Sequence, residues 1–343
     1  MRLKRQAGLT LVELIVAVFV IGLLSIVVAP LLTSYVGSVR ASYAKRQEVV
    51  NQTIGVAMMQ FAQDATPLGT LPAPYTGGGY TSTIYNPTDN TVAGLALRAA
   101  LTQSGINPAE INDDNYPSKR VRAYQRVAGL TTSVPLYFQT GPLVTLTYQF
   151  GAVYMTGCER ATTACNPTAA TGLPGSSVSM TAANHTTWTT SGTDQAVYFL
   201  SSLPLQKQMM ANTAAKVDKI RDALMSYFRT RQTTASAGDT TNWWLPTAAT
   251  LAGASPSTNQ GCRDGWYDLS TNAEILPAAG LTPAADGKTA WGARIEFCRD
   301  YDPAGTQSPN AAPHLAAIRF HSSVSLGLAP DAVVVGNNVV LTL

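Results

Sequence analysis

The chain opens MRLKRQAGLTLVELIVAVFVIGLLSIVVAPLL, Met1 to Leu32, and this stretch decides how the remainder is read. Three basic side chains, Arg2, Lys4 and Arg5, stand ahead of a run from Leu14 to Leu32 that carries no charge. As an α-helix that run is about 28 Å long at 1.5 Å per residue, close to the thickness of a bilayer core. Basic residues on its amino-terminal side place the start of the chain in the cytoplasm and the rest outside. Glu13 is the anomaly. A carboxylate within a membrane costs on the order of 3 kcal/mol on insertion scales, so it asks for a partner.

Three readings compete for this segment. A secretory signal peptide has a shorter apolar core and a small-x-small cleavage site. Val27-Val28-Ala29 imitates such a site, but Pro30 follows directly and hinders cleavage. A plain signal anchor accounts for the apolar run and leaves Gly8 and Glu13 unexplained. The third reading accounts for both. Gly8-Leu9-Thr10-Leu11-Val12-Glu13 resembles the class III signal of type IV pilins and type II secretion pseudopilins. The resemblance implies that a prepilin peptidase cuts after Gly8 and methylates the new amine on Leu9. It also implies that Glu13, fifth in the mature chain, meets the terminal amine of a neighbouring subunit. Gly22 and Pro30 fall where pilins carry helix-weakening residues. Physically, Pro30 deletes an i→i−4 bond and Gly22 lowers helix propensity. Leu9 departs from the phenylalanine usual at the first mature position.

The helix is expected to continue past the membrane. Val50, Ile54, Ala57, Met58 and Phe61 recur at helical spacing, and Thr66-Pro67 with Gly69 stops the pattern. Residues from Pro72 to about Thr190 are rich in Gly, Pro, Thr and Asn. They contain a short helical patch around Leu95–Leu101 and two strands, Val134–Gln139 and Val144–Phe150, turning at Thr140-Gly141-Pro142. Gly157–Thr193 reads as a long surface loop. A second amphipathic helix spans about Pro204 to Arg229, with Val217, Ile220, Leu224 and Tyr227 as its apolar stripe. Ile54-Ala57-Met58-Phe61 before Leu71-Pro72 and Ile220-Ala223-Leu224-Tyr227 before Leu245-Pro246 share offsets, a weak internal repeat that amphipathic helices also produce by chance. The second unit, a helix, an LP turn and the run Trp291-Gly292-Ala293-Arg294-Ile295-Glu296-Phe297, resembles the soluble half of pilin-like proteins, which place an aspartate beside the W-G pair; here Asp286 lies further upstream. The apolar runs Ala316–His321, Ala332–Val335 and Val339–Leu343, with turn chemistry at Gly336-Asn337-Asn338, predict a terminal hairpin.

The fold class expected is therefore α+β: a long N-terminal helix, membrane-embedded in its first half, packed on an antiparallel β-sheet head with two candidate helix-plus-sheet halves. The expected divisions are 1–8 leader peptide, 9–66 N-terminal helix with its membrane part at about 9–32, 67–200 a β- and loop-rich head region, and 201–343 a second helix with a β-rich region.

Setting aside Arg2, Lys4 and Arg5, the 23 basic residues become 20 against 20 acidic ones, which leaves no electrostatic footprint for nucleic acid. The four cysteines, Cys158, Cys165, Cys262 and Cys298, all follow the apolar segment. Outside the cytoplasm an even number is expected to pair, in one of three ways. Proximity within each region favours Cys158–Cys165 and Cys262–Cys298. No C-x-x-C spacing supports zinc.

No catalytic constellation stands out. Gly287-Lys288-Thr289 resembles a phosphate loop, but position 282 is Thr where that motif needs its first glycine. His185, His314 and His321 show no H-E-x-x-H pattern and read as surface or sheet residues. Asp113-Asp114-Asn115 and Asp300-Tyr301-Asp302 are the acidic runs that calcium would take, as it does in some pseudopilins, yet neither fits the EF-hand and solvated turns are the expectation. Trp188, Trp243, Trp244, Trp266 and Tyr267 would make a binding surface only if exposed together; burial is the expectation.

The reading is a structural subunit rather than an enzyme, with no cofactor. The head is large for a major pilin, which favours a minor, tip, conjugative or adhesive subunit of a type IV pilus. The alternatives are a type II secretion pseudopilin, a tip adhesin whose Thr/Gly-rich loops engage cell-surface ligands, and, least, a membrane-anchored periplasmic enzyme. The resemblance implies as partners other copies or other pilins, prepilin peptidase, the inner-membrane assembly platform and, before assembly, the lipid bilayer. It places the chain in the bacterial inner membrane with a periplasmic head, then in an extracellular pilus or periplasmic pseudopilus.

Overall fold

The computed structural model describes residues 11–74, 92–106, 120–137, 139–159, 179–190, 195–239, 243–244, 260–263, 265–302 and 315–343. Helix α1 runs from Leu11 to Asp64 as one α-helix. It stays helical through Gly22 and Pro30, so the local weakening expected there leaves no break. Thr33 donates its hydroxyl to the carbonyl of Ala29, 2.8 Å away, one turn before it. The helix ends before Gly69, whose φ of +84° suits a residue without a Cβ. Helix α2 spans Val92–Gln103, longer at both ends than the sequence patch.

Strands β1 (Arg120–Tyr137) and β2 (Thr140–Glu159) form a long antiparallel hairpin, and β3 (Gln195–Ser201) pairs with the far half of β2, giving the order β1-β2-β3. Both hairpin strands exceed the expected segments. The turn also differs: Tyr137 faces Thr140, so the chain reverses ahead of Thr140-Gly141-Pro142, with Gln139 at φ +64°. Gly141, at φ +93°, sits just inside β2. β2 extends to Glu159, so the expected loop over Gly157–Thr193 begins inside a strand, and residues 182–187 form turns; 160–178 and 191–194 lie outside the described residues.

β3 leads directly into α3 (Leu203–Thr234), which extends beyond the expected Pro204–Arg229. A second antiparallel sheet follows: β4 (Tyr267–Asp268), β5 (Glu296–Cys298), β6 (Ala317–His321) and β7 (Asn338–Thr342), in the order β4-β5-β6-β7. Two single-turn helices, α4 (Ile275–Ala278) and α5 (Pro283–Asp286), join β4 to β5. The terminal hairpin is β6 with β7. Ala332–Val335 is no strand but part of the connection, with Val333 84% exposed. Asp331 shapes that connection: its carboxylate accepts from the backbone N–H groups of Val333 and Val334 and from the Asn337 amide, and these bonds pull its pKa down to about 2. The apolar run is therefore held by local turn bonds instead of a sheet ladder.

Each long helix covers one sheet. On α1, Ile54, Ala57 and Met58 pack with Leu101, Tyr124, Val153 and Leu200. On α3, Val217, Ile220 and Leu224 pack with Phe297, Ile318 and Phe320 of the second sheet. That second core also takes Leu136, Val144 and Leu146 from the closed end of the β1–β2 hairpin. β2 thus belongs to both cores. Its backbone follows suit: Thr145 N–H donates to Ser322 O (2.9 Å), Thr147 N–H to Ser325 Oγ (2.6 Å) and Gln149 N–H to Ser202 Oγ (2.9 Å). The Gln149 side chain in turn accepts from Leu71 N–H, just past the end of α1.

Candidate functional site

From Leu14 to Ser42 every described side chain of α1 is exposed, among them Ile15, Phe19, Ile26, Leu31 and Tyr35. At 1.5 Å per residue this projects about 43 Å beyond the head. The first buried position is Gln47. A helix that is apolar on all sides cannot rest in water, since its large side chains each forgo about 1.5–3 kcal/mol of burial. Among the described residues no helix is long and apolar enough to cross a membrane. Leu9 lies outside those residues, as do the side chains of Glu13, Leu23, Leu24, Ser25 and Val27 within the apolar stretch.

Of the expected site residues, Gly8 and Leu9 precede the described chain. Glu13 lies in the first turns of α1. Gly22 and Pro30 are exposed on the projecting half, and a Cβ placed on Gly22 meets nothing within 4 Å. Cys262 and Cys298 are joined by a disulfide, Cα–Cα 5.8 Å. Cys158 lies near the end of β2, and Cys165 lies outside the described residues.

The projecting helix is fixed to the head by a polar clamp that the stripe analysis overlooked. Arg122 of β1 is buried and donates to the side-chain oxygens of Asn51 and Gln47, both buried on α1. Beside it the Tyr124 phenol, fully buried, donates to Pro72 O at 3.0 Å, and burial pushes its pKa up. The signal was present in the sequence: Gln47 and Asn51 are four apart and continue the Ile54–Met58 face, where an amide must find a buried partner.

Other candidates are structural. Asp286 of α5 is buried; burial alone would raise its pKa, but bonds from Lys219 Nζ (2.8 Å) and Thr282 N–H, with the Lys219 and Lys216 charges, lower it. Gly287 packs against the Leu269–Ser270 backbone, leaving no cradle for phosphate. Trp188, Trp244, Trp266 and Tyr267 are all buried, and they are split among three separate clusters, so they form no common surface. His185 bonds to Ala182 O and stands edge-on to Phe150; His321 Nδ1 accepts from Ser323 N–H, and burial lowers its pKa. His314 and Asp113-Asp114-Asn115 lie outside the described residues. Among the described residues no three His, Cys, Asp or Glu side chains group as metal ligands.

Residues 3–29 match the family model of the prokaryotic N-terminal methylation motif, the type IV pilin or prepilin-type signal. The match takes in Gly8, Glu13 and most of the apolar stretch to Leu32, and stops short of the head. No curated protein and no solved structure matches the chain.

Proposed function

Because this chain carries a type IV prepilin-type signal over residues 3–29, we propose that it is a filament subunit, cut after Gly8, methylated on Leu9 and assembled through the projecting half of α1. The observation that carries the reading is the exposed helix from Leu14 to Ser42, whose first part, Leu14 to Leu32, is apolar and uncharged. Such a surface needs a cover: lipid before assembly, the helices of other subunits after it. In lipid there is little hydrophobic gain from helix association, so packing and polar contacts must select the neighbour. Glu13 supplies the polar contact. A neighbour's terminal amine meeting Glu13 forms a charge-assisted bond in a low-dielectric core. Gly22 and Pro30 give the helix two sites where it can lengthen within a filament.

The head is the finer part of the proposal. Its size and its two sheets fit a minor or tip subunit better than a repeating major one. Prepilin peptidase, the assembly platform and other pilins are the partners, and the head faces the periplasm and then the cell exterior.

Intact-mass and N-terminal analysis of the membrane fraction tests the processing. The expected product begins at methylated Leu9. A terminus near Pro30, or an uncut Met1, overturns the proposal.

A further inference from the structure

The outer face of the second sheet, turned away from α3, buries charges. Glu296 of β5 and Arg319 of β6 are cross-strand neighbours, and both side chains are at most 2% exposed. Arg319 Nε and Nη2 each lie 2.7 Å from Glu296 Oε2, while Arg294 Nε approaches Glu296 Oε1 at 2.8 Å from a more exposed position. The cover is a strap formed by Gln260–Arg263 and Gly265–Trp266. The Trp266 ring lies 4.3 Å from the Arg319 guanidinium, and the Gln260 side-chain oxygen accepts from Arg319 and from Asn338 of β7. Cys262, in the middle of the strap, is bonded to Cys298, two residues along β5 from Glu296.

The closed strap is at odds with its own polar groups. Enclosing an ion pair removes two hydration shells, a loss that the mutual attraction often fails to recover. Burial works against the Arg319 charge, and Glu296 works for it. The strap adds two buried donors, the Trp266 indole N–H and the Gln260 amide nitrogen, with no acceptor among the described residues. Open, all of these groups would meet water. The apolar core on the other face of the sheet, with Phe297, Ile318 and Phe320 against α3, takes no side chain from the strap.

We infer that the Cys262–Cys298 disulfide is a redox latch: it holds the strap shut over a charge pair that favours hydration, so that exchange with a dithiol reductant, which is oxidised to its own disulfide as the Cys262 and Cys298 thiols form, opens this face locally while the α3 core stays folded. In an oxidising compartment the outer face of the sheet is closed. In a reducing one it presents Glu296, Arg319 and Arg294 to solvent. The inference stands on the head alone and is independent of how α1 assembles.

The test is hydrogen exchange followed by mass spectrometry on the full-length chain in detergent. Oxidised wild type, wild type reduced after folding, and the Cys262→Ser/Cys298→Ser variant are compared over peptides of the strap, β6 and α3. Reduction is expected to speed strap exchange about tenfold or more while α3 keeps its protection. The decisive variant adds Glu296→Leu and Arg319→Met to the cysteine-free chain. With the buried pair removed and only Arg294, already part-exposed, left to hydrate, the strap should regain about tenfold of its protection without any disulfide. If the cysteine-free chains fail to fold, the Glu296→Leu/Arg319→Met chain with its cysteines kept, reduced by a dithiol after folding, is compared with reduced wild type and carries the same comparison. Three results overturn the latch: a strap equally protected with and without the disulfide, a strap without the buried pair that opens as far as one over it, or α3 losing protection together with the strap.

Discussion

Replacing Leu146 by Ala tests whether β2 joins the two halves of the head into one cooperative unit. Leu146 is fully buried in the core beneath α3, yet its strand continues into the α1 core through Val153. Between these positions β2 bonds to Ser322, Ser325 and Ser202, and Gln149 holds Leu71 at the exit of α1. Truncation removes the transfer energy of the lost methyl groups and leaves a cavity, about 2–5 kcal/mol together. A fully buried strand position in the core that also holds Leu136, Val144 and Leu224 has little room to collapse, so about 3 kcal/mol is expected. At about 2–4 °C per kcal/mol for a head of this size, Tm should fall by about 6–12 °C. Calorimetry measures the fall, and hydrogen exchange over Val50–Ala62 and Val217–Leu224 reports on each core. If the strand is a shared spine, both helices lose protection together, and Ile54→Ala produces the same joint loss from the opposite side. Two separate transitions, with only the α3 side moved by Leu146→Ala, would refute the shared spine.

Three further outcomes follow from single sites. Gly287→Ala places a Cβ 2.5 Å from Leu269 O and 2.6 Å from Ser270 Cα, where only backbone could yield, so it should lower stability by about 1–3 kcal/mol in denaturant unfolding; an unchanged midpoint contradicts this packing. The Asp331 carboxyl should titrate near 2 by carbon NMR, because its folded pKa is depressed by the Val334, Asn337 and Val333 donors; the bracing it gives Val333–Val335 is present above the ordinary carboxylate pKa and lost as pH falls through about 2, and a midpoint near 4 would show the bonds are not formed. Glu13→Ala should leave membrane insertion intact and cleavage after Gly8 at least partly so, while the ratio of variant to wild type in sheared filaments drops well below that in membranes; equal recovery denies Glu13 any assembly role.

The helices were legible because their period is local. Ile54, Ala57 and Met58, and Val217, Ile220 and Leu224, sit on one face of a 3.6-residue repeat whatever they pack against, and all are buried as that repeat requires, while Val50, Phe61 and Tyr227 of the same stripes are half-buried. The alternation of Val144 and Leu146 likewise pointed into a core. The prepilin-type signal needs no tertiary structure at all, since charge, length and the Gly8–Glu13 spacing are properties of the chain itself. What failed was conformation set by neighbours. Composition points the hairpin turn to Thr140-Gly141-Pro142, but the residue before β2 with left-handed φ is Gln139, which no propensity marks. Ala332–Val335 has the composition of a strand, and only the Asp331 bonds show that it is a loop.

Sequence by itself determined the apolar, uncharged run of α1, the two amphipathic faces, and the presence of a carboxylate at the head of that apolar run, because each depends on residue type and on spacing within a few turns. Tertiary structure alone decided that β2 serves both cores, that Arg122 reaches across 71 residues to Asn51, and that Glu296 lies beneath a strap tied by Cys262. These are matches between distant segments. A buried charge shows in the sequence only as a charge; its partner, and the water it has lost, exist only once the strands are paired.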